Sequence, residues 1–135
     1  MRLVRIGRVV WDVLAIADES GRSVLDDLGL TEAEGRMLAT IETDVPLNGP
    51  PVGNVTRCKD VGDDILEFKE WGVRVLWFYD AGEPKIRRRI ICTHFCPKLS
   101  KKEFQQEKER AKRLRRAYIA AKSAGKLVEP EEKQG

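Results

Sequence analysis

The chain predicts an α+β domain, and three observations carry that prediction. Three β-rich runs, residues 65–69, 73–79 and 88–95, follow one another with breaks too short for a crossover connection. Two segments open with Thr or Ser and place Glu three residues later, the signature of a helix N-terminus. No strand–helix–strand unit repeats, which removes the alternating folds built on a parallel sheet. With 135 residues, 41% of them hydrophobic, there is material for one core and little room for a second.

In chain order, residues 8–17 (RVVWDVLAIA) are rich in Val, Ile and Trp and run into the turn DESG, so they predict a first strand. Being apolar on both faces, it is expected in the interior. SVLDDLGL (23–30) predicts a short helical turn ended by Gly29. A second helix starts after Thr31, whose hydroxyl can cap the first amides while Glu34 reaches back. Ala33, Met37, Leu38 and Ile41 line one side of it, fit to lie on a sheet. It is expected to stop near Asp44, because VPLNGPPVGN (45–54) holds three prolines and two glycines. The three β-rich runs then form an antiparallel meander joining the same sheet, linked by EWG and DAGEPK.

Pro97 should end pairing, and Ser100 with Glu103 opens a long helix over Lys101–Ser123, closed by Gly125. Phe104, Ala111, Leu114, Tyr118 and Ala121 leave one narrow apolar stripe in an otherwise basic cylinder. The domain is expected to span residues 1–128, with a disordered polar tail over 129–135.

Charge separates along the chain. Residues 1–84 hold nine Lys and Arg against sixteen Asp and Glu, whereas residues 85–126 hold fifteen against three. A basic block of this kind attracts polyanions through the phosphate backbone alone, although a solvated helix face has the same composition. No run approaches the roughly 18 apolar residues of a membrane helix, so no membrane partner is expected. Three cysteines, Cys58, Cys92 and Cys96, are too few for a disulfide framework and suit a reducing cytoplasm. There is no Gly-rich phosphate loop and no nucleotide fingerprint.

Cys92, His94 and Cys96 alternate, so all three are expected on one face of the last strand. Alternate side chains on a strand stand about 6 to 7 Å apart, too far to converge on zinc, and buried thiols acting as small hydrophobes are the reading adopted. No metal and no cofactor are expected. Trp71, in the turn, should be exposed and Trp77 buried, while Tyr79 and Tyr118 could either pack or stack on bases.

The succession LEFKEWGVRVLWFY, RRRIICTHF, a lysine, and a helix containing ERAKRLRRAY resembles the phage-derived HigB-type branch of the RelE/ParE toxin superfamily. Members typically show L-x-E-L-R before a hairpin turn, and an arginine early in the next strand followed by an apolar pair and Tyr. A strand ending in His or Phe-x-Lys-Lys and a helix with Ala-Lys and a late Tyr complete the pattern. The resemblance covers most of residues 8–121 and is strongest from Ile65 onward. Lys69 stands where the family more often has Arg, Arg74 matches the strand arginine, and Lys98 matches one of the two lysines. Phe-x-Lys-Lys is here Phe95-Cys96-Pro97-Lys98; alternatively His94 takes the family's His position.

The resemblance implies a RelE-like fold: an N-terminal strand, two helices, a three-stranded meander and a long C-terminal helix. It further implies the toxin of a type II toxin–antitoxin system, a metal-independent endoribonuclease (mRNA interferase) that cleaves mRNA on the ribosome. A cognate antitoxin, a small helix-turn-helix protein, would neutralise it. Arg74 would stabilise phosphate charge, since guanidinium is a permanently charged planar fork. Lys69 and Lys98 would position the backbone or move protons, and His94, the sole histidine, would act as acid or base. Arg88, Lys101, Lys102 and Trp71 would bind RNA. Each has a plainer alternative: Arg74 paired with Glu67 or Glu70 across the hairpin, His94 satisfied within the sheet, Lys98 simply solvated. The alternatives in function are a ParE-like inhibitor of DNA gyrase, or a catalytically inactive phage-derived nucleic-acid binder.

Overall fold

The computed structural model describes residues 1–23, 25, 30–80, 88–97 and 99–130, Pro97 through its backbone only. Its core is one six-stranded mixed sheet. The strands are β1 (Arg2–Arg8), β2 (Asp12–Ala17), β3 (Cys58–Gly62), β4 (Ile65–Glu70), β5 (Val73–Tyr79) and β6 (Arg89–Pro97), in spatial order β1-β2-β6-β5-β4-β3. Only β2 and β6 run parallel; the other neighbours are antiparallel. Helix α1 (Glu32–Asn48) covers one face through Met37, Leu38, Ile41 and Val45, packed with Val13, Phe68, Val75 and Trp77. Helix α2 (Lys101–Ser123) covers the other through Ala111 and Tyr118, against Leu3, Leu14, Leu76 and Phe78. The α+β class and the expected meander both stand, with β4, β5 and β6 in register from Leu66↔Trp77 to Val73↔Pro97.

Four expectations are corrected. The first strand does not run over 8–17: residues 9–11 are the turn of a hairpin whose other arm, β1, precedes them. β1 carries three arginines, which an edge strand tolerates, and Arg5 is neutralised by Asp12 across the pair at 2.9 Å. β3 was not expected either, because CKDVG is short, polar and on the opposite edge.

Helix α1 continues past Asp44 to Asn48 with Pro46 inside it. Pro46 forfeits one bond, to the Glu42 carbonyl, near the helix end, and the amides of Val10 and Trp11 both donate to the Pro46 carbonyl at 2.8 Å each, pinning the last turn to the hairpin. Gly7 lies so close to this last turn that a Cβ there would stand 2.6 Å from Pro46 Cγ and 2.8 Å from the Glu42 carbonyl oxygen.

The alternation of Cys92, His94 and Cys96 fails as well. Leu76 pairs with His94 but Trp77 pairs with Cys92, so Thr93 is an extra, bulged residue, its hydroxyl donating to the Leu76 carbonyl at 3.0 Å. Cys92 therefore faces α1, whereas His94 turns to α2.

The helical turn expected over 23–30 lies mostly outside the described residues. Val128 bridges to Arg2 and Glu129 takes a two-pronged ion pair from Arg89 at 2.8 and 3.0 Å; residues 131–135 of the expected tail lie outside the described residues. No described helix is long and apolar enough to cross a membrane.

Candidate functional site

Alternation along the β3–β4–β5 ladder sends Phe68 and Val75 to the α1 side, which turns Lys59, Glu67, Lys69 and Arg74 to the α2 side. There α2 covers only part of the sheet. Before its first turns close down, a depression of about 310 Å³ is left, lined by Lys59, Val61, Glu67, Lys69, Arg74, Leu99, Lys101 and Phe104.

Four cations thus meet in one hollow. Lys69 and Arg74 are direct cross-strand partners, as are Lys59 and Glu67. Lys59, Lys69 and Lys101 form no ion pair with a described residue. Lys101 begins α2, whose N-terminal dipole adds positive potential at the rim. Like charges held this close repel one another in the empty site, so an anion entering it relieves repulsion as well as gaining attraction.

Glu67 is the exception. Its side chain is 5% exposed, and Arg74 Nε stands 3.2 Å from Oε2. That contact is too poorly aligned for a hydrogen bond, and no described donor satisfies Oε2. Burial pushes the Glu67 carboxyl above the usual range, against the opposing pull of Arg74, Lys69 and Lys59. Arg74 is steadied from its other side by the Phe104 ring, whose centroid lies 6.0 Å from the guanidinium carbon.

The expected site residues divide clearly. Arg74, Lys69 and Lys101 line the hollow, and Trp71 lies just beyond it, 49% exposed at the β4–β5 turn. Lys102 is exposed on the first turn of α2 and does not line it. Arg88 sits at the far end of β6, roughly 25 Å along the strand from Cys96, the partner of Arg74. Lys98 lies outside the described residues.

His94 is not brought to the hollow. It is 2% exposed beneath α2, with Nε2 2.6 Å from Glu107 Oε2 and no described partner for Nδ1. Burial and Arg110 depress its pKa, and Glu107 opposes them. The neighbouring Cys96 thiol is pushed up to about 11, chiefly by burial, so it is a thiol at neutral pH. Tyr118 is buried and its hydroxyl donates a hydrogen bond to Asp80 at 2.5 Å, and Trp77 is fully buried, so neither can stack on a base.

Sequence reasoning treated Glu67 only as a cross-strand counter-ion for Arg74. Its strand period, between the inward-facing Leu66 and Phe68, was the signal that it shares a face with Lys69. Lys59 was missed because β3 was missed.

Much of the basic character of α2 is neutralised within the chain. The β3–β4 turn presents Asp63, 3.1 Å from Lys108 and 3.6 Å from Lys112, and Asp64, 3.6 Å from Arg115. The hollow, in contrast, holds an excess of uncompensated positive charge next to a proton-accepting carboxylate. That combination can bind a phosphodiester and move a proton beside it. No family model, curated protein or solved structure matches the chain.

Proposed function

We propose that the chain is the toxin of a type II toxin–antitoxin system, an endoribonuclease that cleaves mRNA on the ribosome. The observation that carries this reading is the convergence of Lys59, Lys69, Arg74 and Lys101 on one hollow beside the buried carboxylate of Glu67. The motif run from Ile65 to Tyr118, with its resemblance to HigB-type toxins, supports it independently.

In this reading the scissile phosphate lies against Arg74. The RNA 2′-hydroxyl gives its proton to Glu67 and attacks phosphorus; the O2′–P bond forms as the P–O5′ bond breaks, leaving a 2′,3′-cyclic phosphate and a 5′-hydroxyl. A carboxyl raised by burial is the better base of its kind, since its proton affinity lies nearer that of the group it serves. Arg74 takes the charge that gathers on the non-bridging oxygens, the Lys69 ammonium gives a proton to the departing O5′, and Lys59 and Lys101 hold the flanking phosphates. The cations supply what a metal would otherwise supply, so the cleavage is metal-independent. An antitoxin that buries an acidic segment in the hollow would silence it, and a small helix-turn-helix protein is the partner proposed.

The test is incubation of purified protein with programmed ribosomes, reading cut positions and end chemistry. Cleavage that leaves 5′-hydroxyl ends, survives a chelator and falls about 10²- to 10³-fold in a folded Arg74→Ala variant supports the proposal. An intact message rejects it. Supercoiling inhibition would then favour the gyrase reading, and salt-dependent RNA binding without chemistry an inactive binder.

A further inference from the structure

The turn between β4 and β5 is built from an unusual residue. Glu70 pairs with Val73, so Trp71 and Gly72 are the whole loop, and both have positive φ, 54° and 74°, as a type I′ turn requires. Asn, Asp or Gly normally fills the first of these positions, and Asp63 does so in the neighbouring β3–β4 turn at φ 56°, with Asp64 second at 65°. A bulky aromatic held there is a backbone outlier, of the kind that collects at functional sites. Core packing does not repay the strain, because Trp71 belongs to neither hydrophobic cluster and is 49% exposed.

The strained conformation places the indole on a second depression. About 260 Å³ in volume, it is lined by Thr56, Lys69, Glu70, Trp71, Gly72, Val73 and Arg74. Lys69 and Arg74 line both hollows, so they form the wall between them. Of the polar lining, Glu70 is already engaged by Arg57 at 2.6 Å, so its charge does not repel an approaching anion. An aromatic plane thus stands on one side of two cations, with the phosphate hollow on the other. A nucleotide has the same sequence of parts: a flat base, then a phosphate.

We infer that this second depression is a base subsite, in which one unpaired base of a single-stranded RNA stacks on Trp71 while Lys69 and Arg74 hold the adjoining phosphate. The inference rests on the proposed ribonuclease reading for the identity of the polymer. A base kept in a duplex has both faces covered by its neighbours, so the platform selects single strands. Stacking accepts any base, so the subsite imposes little sequence preference of its own.

The test uses the full chain and two labelled probes of equal length, a 2′-O-methyl RNA oligonucleotide and its abasic counterpart, neither of which can be cut by 2′-hydroxyl attack. Wild type should bind the base-bearing strand about tenfold more tightly than the abasic one, with quenching of tryptophan emission. Trp71→Gly suits the turn, so the fold is retained, and it should bring the two affinities together while leaving the abasic strand's unchanged. Trp71→Phe should keep part of the preference. Equal binding of both probes by wild type, a preference that survives Trp71→Gly, or binding of neither probe overturns the inference. A chain that prefers the base-bearing strand yet leaves mRNA intact keeps the base subsite and loses the ribonuclease reading. One that cuts mRNA but treats the probes alike loses only the base subsite.

Discussion

Arg74 and Glu67 face one another from adjacent strands, the guanidinium Nε 3.2 Å from a carboxylate oxygen with no aligned donor among the described residues. The pair is close enough for strong electrostatic coupling and open enough on the Arg74 side to engage a third party. An arginine held only for stability would be expected to saturate its carboxylate partner with a two-pronged contact, as Arg89 does with Glu129.

This geometry predicts a pH signature. Burial raises Glu67 above the ordinary carboxyl value of 4.5 in the folded chain. Between that value and the raised one, the folded state holds a proton that the unfolded state has released. Stability contributed by this group therefore falls as pH rises through the window and levels off above it. Glu67→Gln should remove the decline in urea-unfolding free energy measured across pH, while abolishing the proposed RNA cleavage. A decline that persists in the variant would place its origin elsewhere.

His94 should behave with the opposite sign. Its pKa is depressed by burial and Arg110, against the Glu107 contact, so on acidification the unfolded chain takes up the proton first. Stability is then lost as pH drops below about 6.5. Because the chain has a single histidine, one pair of imidazole NMR resonances reports the titration, and its midpoint should lie below 6.5. A midpoint above that value would mean that Glu107 outweighs burial. His94→Asn should flatten the acid-side slope.

Two glycines should respond to alanine in opposite directions. Gly7→Ala drives a methyl into Pro46 and the Glu42 carbonyl, and should cost about 1 to 3 kcal/mol in thermal or denaturant unfolding. Gly35 lies inside α1 with nothing within 4 Å of a Cβ, so Gly35→Ala should stabilise by about 0.5 to 1 kcal/mol.

The β3–β4 turn should act as an internal brake on polyanion binding. Replacing Asp63 and Asp64 together by Asn preserves the positive-φ turn and releases Lys108 and Arg115, while Lys112 keeps Glu109 at 3.1 Å. The double variant should elute from a heparin column at higher salt, with its stability little changed, since exposed pairs contribute little. Unchanged elution would show that these cations face away from bound polyanions.

Much of this was legible in the sequence wherever local chemistry decides structure. The capping box of Thr31 and Glu34 forms as read, with both reciprocal bonds, and α2 begins at Lys101. Arg74 and Lys69 were placed together because hairpin breaks fix register. The losses came where distant partners decide. The last turn around Pro46 is pinned from outside by amides of residues 10 and 11, and CKDVG becomes a strand only because β4 offers it an edge. His94 does share the α2 face with Arg74, but α2 closes over it and Glu107 ties its ring, a packing partner that its strand position does not reveal.

The extra residue at Thr93 divides β6 into two functional halves. Upstream of it, Cys92 belongs to the α1-side core, and downstream it is His94 that points under α2. Deleting Thr93 would make Cys92 and His94 neighbours, and neighbours on a strand already face opposite ways. The ladder would then close without a bulge and every downstream side chain would keep its present face, so the position should tolerate loss as well as substitution, at the cost of the Thr93 hydroxyl's bond to the Leu76 carbonyl.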